Sequence, residues 1–151
     1  MGTNIRNNLS RSNPYYIPKH EYLMARHFAM QYNDWKKAKR EIESRIGYGY
    51  HVGDVHGTDI HDPVFDAQMK TEGYLNKIEL VEQTAKIAGE ELWEFVLLGA
   101  TTECSYEYLR LVKSIPCCKD SYYRMYRKFF WLLNHQICNL LNGKPNIFKE
   151  E

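Results

Sequence analysis

The sequence predicts an all-α fold: a single domain of five to six helices, with a C-terminal helix-turn-helix-like pair and a long Gly/His-rich loop. Three observations carry the prediction. Apolar residues recur at steps of three and four through most of the chain. The breakers Pro14, Pro18, Pro63, Gly89, Gly99 and Pro116 fall between the periodic segments. At 151 residues the chain can bury a core without staples, yet it is short for two independent domains.

Residues 1–13, rich in Asn, Ser and Arg with only Ile5 and Leu9 apolar, have the composition of a flexible N-terminal arm; residues 14–151 form the helical domain. Pro14 and Pro18 hold the entry extended, and Tyr22, Leu23, Phe28 and Met30 then start a helical pattern. A break at Asn33-Asp34 precedes a second helix, Trp35 to Ile46, whose sparse apolar set of Trp35, Ala38, Ile42 and Ile46 leaves a basic outer face. The run GYGYHVGDVHGTDIHDP has no sustained apolar period and reads as a loop. Asp62-Pro63 then supplies an N-cap followed by a proline suited to the first helical position. Phe65, Met69, Leu75, Ile78, Val81 and Ala85 carry a long helix to about Ala88. Glu90 and Glu91 favour a new N-terminus through the helix dipole, and LWEFVLL is a short apolar helix expected to stop at Gly99.

The last pair spans 104–141. Ser105 caps its first helix, with Tyr106, Leu109 and Val112 expected to face inward. Pro116 enforces the turn. In the second helix Tyr122, Tyr126, Phe129, Leu133, Ile137 and Leu140 form an apolar stripe, leaving Lys119, Tyr123, Arg124, Arg127 and Lys128 on the complementary face. Cationic and phenolic groups clustered near the start of a rigid helix suit a major groove. Arginine bonds guanine edges bidentately, and lysine and tyrosine hold phosphates. Lys36, Lys37, Lys39 and Arg40 of the second helix are expected to touch the DNA backbone.

Charge and composition bound the alternatives. Twenty Lys and Arg against nineteen Asp and Glu leave a net charge of +1, so affinity for a polyanion must come from local clustering. The clustering exists: acids dominate Asp54 to Glu103, whereas Asp120 alone opposes six cations between Arg110 and Lys128. The opening MGTNIRNNLSRSNP lacks a signal-peptide core and no segment approaches a membrane span, so a cytoplasmic protein is expected. Cys104, Cys117, Cys118 and Cys138 show no CxxC spacing and read as reduced thiols. His51, His56 and His61 beside Asp54, Asp59 and Asp62 match no standard ligand spacing and read as an exposed polar loop, so no metal or cofactor is expected. His20 and His27 read as helix-surface or core residues, and Glu90, Glu91 and Glu94 as a solvated helix start. Without a phosphate loop, nucleophile elbow or HExxH pairing, no enzyme is expected. Of the twelve tyrosines and three tryptophans most belong to a core, while Tyr15, Tyr16, Trp35, Tyr48, Tyr50 and Trp131 could line a partner surface.

Three stretches, NPYYIPKHEYLMARHFAMQYNDWKK, TDIHDP and IPCCKDSYYRMYRKFFWLLN, resemble a family of small proteins of bacteriophages and integrated elements in Clostridia-like bacteria. The C-terminal pair is similar in layout to the helix-turn-helix of sigma factor region four and of phage late-transcription regulators. Cys118, where many relatives would carry glycine, and the His-rich insertion depart from that pattern. The family resemblance carries no activity and no functional residues with it; the layout similarity, together with the basic face of the last helix, leads to the expectation of a phage-type regulator that binds double-stranded DNA in a bacterial host cell. The alternative is a mobile-element-encoded protein inhibitor, anti-CRISPR-like, that occupies a host nuclease through its acidic and aromatic surface. A purely structural or assembly component is the third reading.

Overall fold

The computed structural model describes residues 13–47 and 62–144. The expected N-terminal arm up to residue 12 and the loop carrying His51, His56 and His61, with Tyr48 and Tyr50, lie outside the described residues.

Pro18, at φ −56° and ψ 146°, ends a non-helical entry, and α1 (Lys19–Met30) follows at once. The break comes at Gln31, earlier than Asn33-Asp34 suggested. The Gln31 N–H closes α1 on Phe28, and its carbonyl accepts from Trp35 in the first turn of α2 (Tyr32–Gly47). α3 (Pro63–Gly89) starts where the sequence places it, with the Asp62 carboxylate accepting from the Val64 N–H at 3.0 Å. A 3-10 turn, Glu90–Leu92, leads into α4 (Trp93–Thr102). Gly99 does not stop this helix. It lies buried inside α4, which ends instead at Glu103 in the left-handed region, φ 57°.

α5 (Tyr106–Leu111) is capped by Ser105, whose hydroxyl accepts from the Tyr108 N–H at 3.2 Å. Ser114, at φ 55°, turns the chain, and the Leu109 carbonyl accepts from both Lys113 and Ile115. The connection runs from Val112 to Cys118, longer than the three or four residues usual in a helix-turn-helix. Val112, expected inside, is 59% exposed because α5 ends before reaching it. α6 (Lys119–Leu141) closes the described chain. Among the described residues there is no strand, and no helix is long and apolar enough to cross a membrane.

The two long helices organise the packing. α2 lies along α3, whose other contacts are with α4 and α6, while α1 packs on α6 and α4. The α6 stripe is the centre of the core: Tyr122, Phe129, Phe130 and Leu133 are fully buried, with Tyr126 and Ile137 nearly so. Leu140, the last expected member, is half exposed where α6 runs past its partners. The N-terminal half of α3 likewise extends past the core, leaving Phe65 58% and Met69 54% exposed although the periodicity predicts both inside. Trp35, offered above as a partner-surface residue, is instead core, edge-on to Phe28 at 4.9 Å. All four cysteines are free thiols.

Burial raises the pKa of Tyr32, Tyr122 and Tyr126 well above the ordinary phenol value; for Tyr32, donation to Glu82 at 2.6 Å adds to it. In the unfolded chain these phenols ionise near pH 10. Between that pH and their folded values the unfolded state therefore binds fewer protons, and stability falls as pH rises. The slope is about 1.4 kcal/mol per pH unit for each, hence about 4 for the three together. Cooperative loss of helix is expected one or more pH units above 10, where the accumulated loss reaches the roughly 5 to 15 kcal/mol that holds a domain folded, coincident with the last fraction of tyrosinate absorbance. Complete tyrosine ionisation with unchanged circular dichroism would contradict it.

Candidate nucleic-acid interface

The buried positions of α6 fix which side chains remain outside. Because Tyr122, Tyr126, Phe129, Leu133 and Ile137 occupy one side, helical geometry puts Asp120, Arg124, Arg127, Lys128, Trp131 and His135 on the other. Arg124 is exposed, and Arg127 and Lys128 are half-buried. Ion pairs among the described residues join Arg26 to Glu103, Lys39 to Glu43 and Arg110 to Glu107; none includes these three cations. Their charge therefore stays available to a ligand.

The other predicted residues divide. Lys119 is exposed in the first turn of α6 but lies on the side of Tyr122 and Tyr126 rather than with Arg124. Tyr123 does not sit on the outer face as expected. Its ring meets those of Tyr122 and Tyr126 at 5.1 and 6.1 Å and packs against the core, because it falls beside the buried stripe rather than opposite it. On α2, Lys39 pairs with Glu43 at 2.6 Å, Arg40 Nε donates to the Lys36 carbonyl at 3.3 Å, and the Lys36 ammonium lies 5.2 Å from the Tyr32 ring centre. Lys37 is exposed. The two basic groups stand on helices with different main packing partners, α2 on α3 and α6 on α1, α3 and α4.

Two features were not legible as part of a site. Cys118 is the N-cap of α6, and a hydrogen bond with the Ser121 hydroxyl at 3.2 Å holds its thiol below the ordinary range. His135 follows Trp131 by one turn. Its ring lies 4.3 Å from the indole, and its Nδ1 is 2.8 Å from the Trp131 carbonyl. The spacing to Arg124 and Lys128 would have found it, since 124, 128, 131 and 135 fall on one helical row.

Elsewhere, a groove of about 440 Å³ separates α2 from the start of α3, with Ile42, Ala67 and Tyr74 among its lining. Glu41, Arg45, Asp66 and Lys70 also line it, and two signs of charge give it no preference for a polyanion. No group of three or more His, Cys, Asp or Glu residues suited to a metal occurs among the described residues. No family model, curated protein or solved structure matches the chain.

Proposed function

We propose that the protein is a non-enzymatic, phage-type DNA-binding regulator of the cytoplasm, with α5 and α6 as a helix-turn-helix-like pair and the outer face of α6 turned to the major groove. The observation that carries this reading is the placement of Arg124, Arg127 and Lys128: three cations within two turns, on a helix held rigid by its buried side, free of carboxylate partners among the described residues. An α-helix fits the major groove, and such cations supply both phosphate and base-edge contacts. A mobility-shift series on duplex fragments at rising salt tests it, because displacement of counterions makes affinity fall steeply with ionic strength. Retained complexes whose affinity ignores salt, or no complex at low salt, would remove the proposal.

A second reading, an inhibitor that docks on a host nucleic-acid-handling protein, is favoured by one observation. The overhanging start of α3 exposes Phe65 and Met69 beside Glu72, an apolar surface with an acidic neighbour. A stoichiometric host protein retained after nuclease treatment, and lost on Phe65→Ser with Met69→Ser, would support it.

A further inference from the structure

The cationic row of α6 does not end at Lys128. Arg124, Lys128, Trp131 and His135 follow one another at i, i+4, i+7 and i+11 along about 16 Å of helix, so the charges lead directly to an indole–imidazole pair in contact, the two ring planes inclined at 47°. Tyr15, from the entry segment, meets the indole edge-on at 5.8 Å and fixes it from the side. Packing accounts for the half-buried Trp131. It does not account for His135, which is exposed yet held in one orientation. A carbonyl oxygen only accepts, so Nδ1 of His135 carries the proton given to Trp131, and Nε2 remains for a ligand.

A closed duplex offers groove edges and phosphates to such a row, but no base face. An unpaired nucleotide offers a face, and it stacks on aromatic and histidine rings while neighbouring cations hold its backbone. We infer that the His135–Trp131 pair is a stacking platform for an unpaired base, so that the DNA ligand is a duplex with an adjoining single-stranded segment rather than a continuous duplex. This rests on the DNA-binding reading and specifies its ligand. The strand passes from the cations at 124–128 onto the ring pair, with the exposed imidazole as the outer surface.

Anisotropy titrations on two labelled probes test the inference: a blunt duplex of roughly two helical turns and the same duplex with a tail of about five nucleotides. The wild-type protein is expected to bind the tailed probe about tenfold more tightly, the effect of one stacked base. His135→Ala, an exposed change, and Trp131→Ala should bring the two probes toward equal affinity, whereas Trp131→Phe, which keeps a ring in place, should retain the preference. Equal wild-type affinity for both probes overturns the inference while leaving DNA binding intact, as does a preference that survives both alanine changes. Failure to bind either probe removes the DNA-binding reading and this inference with it.

Discussion

Replacing Gly99 by alanine is expected to destabilise the protein by about 2 to 3 kcal/mol, and Tyr122→Phe is expected to restore most of the loss. A Cβ at position 99 would lie 1.9 Å from the Tyr122 hydroxyl oxygen. The phenol has no route of escape: Tyr122 is fully buried, with the rings of Tyr106, Tyr123 and Tyr126 at 5.8, 5.1 and 5.9 Å. Alanine is worth about 1 kcal/mol more than glycine inside a helix, and overpacking typically costs about 1 to 3; a contact this short belongs at or just above the upper end, about 3 to 4, so the clash wins by about 2 to 3 kcal/mol. For a chain of this size the melting temperature should drop by roughly 5 to 10 °C. The Tyr122 hydroxyl has no hydrogen-bond partner among the described residues, so its removal forfeits no bond and relieves a buried polar group. With phenylalanine the nearest ring atom is Cζ at 3.2 Å, which a shift of a few tenths of an ångström accommodates. A double-mutant cycle by thermal or denaturant unfolding measures the coupling. An equal cost of Gly99→Ala in both backgrounds would show that the contact is not what confines α4 to glycine here.

The same contact explains where the sequence was legible and where it was not. Signals that act within one turn read correctly: Asp62 and Ser105 cap their helices, and with Gln31 and the end of α4 excepted, each break lies near its proline, glycine or acidic marker. Gly99 was misread because a glycine that ends a helix and a glycine that admits a side chain from another helix look alike in one chain. The occupant is Tyr122, twenty-three residues away. Periodicity identified the buried side of α6 and therefore the outward placement of Arg124, Arg127 and Lys128. It failed for Tyr123, which falls at the edge of the buried sector and packs against the core beside Tyr122 and Tyr126. It failed for Phe65 and Met69 because an apolar period fixes a face and not whether a neighbour reaches it. On α2, composition announced four cations, but only contacts reveal that Lys39 is paired, Arg40 is tied to its own helix and Lys36 lies over an aromatic ring.

Those contacts make the two basic groups unequal, and the inequality sets the largest functional effect. Replacing Arg124, Arg127 and Lys128 together by glutamine should lower duplex affinity about 10² to 10³-fold, since each cation contributes on the order of 1 kcal/mol or more through phosphate or base-edge contact. Glutamine is preferred to alanine because Arg127 and Lys128 are half-buried, and their aliphatic stems cover part of the helix surface. The slope of log affinity against log salt should fall by about 2.7, three cations at roughly 0.9 each. Glutamine at Lys36, Lys37, Lys39 and Arg40 should cost less than about tenfold. Lys39 already spends its charge on Glu43, and Lys36 and Arg40 would have to leave existing contacts to reach a phosphate. Helical circular dichroism should be unchanged in both, because glutamine has nearly the helix propensity of lysine and arginine and keeps part of their aliphatic stem. If the α2 set lowers affinity and salt slope more than the α6 set, the polyanion lies along α2 and the assignment of α6 as the contact helix is wrong.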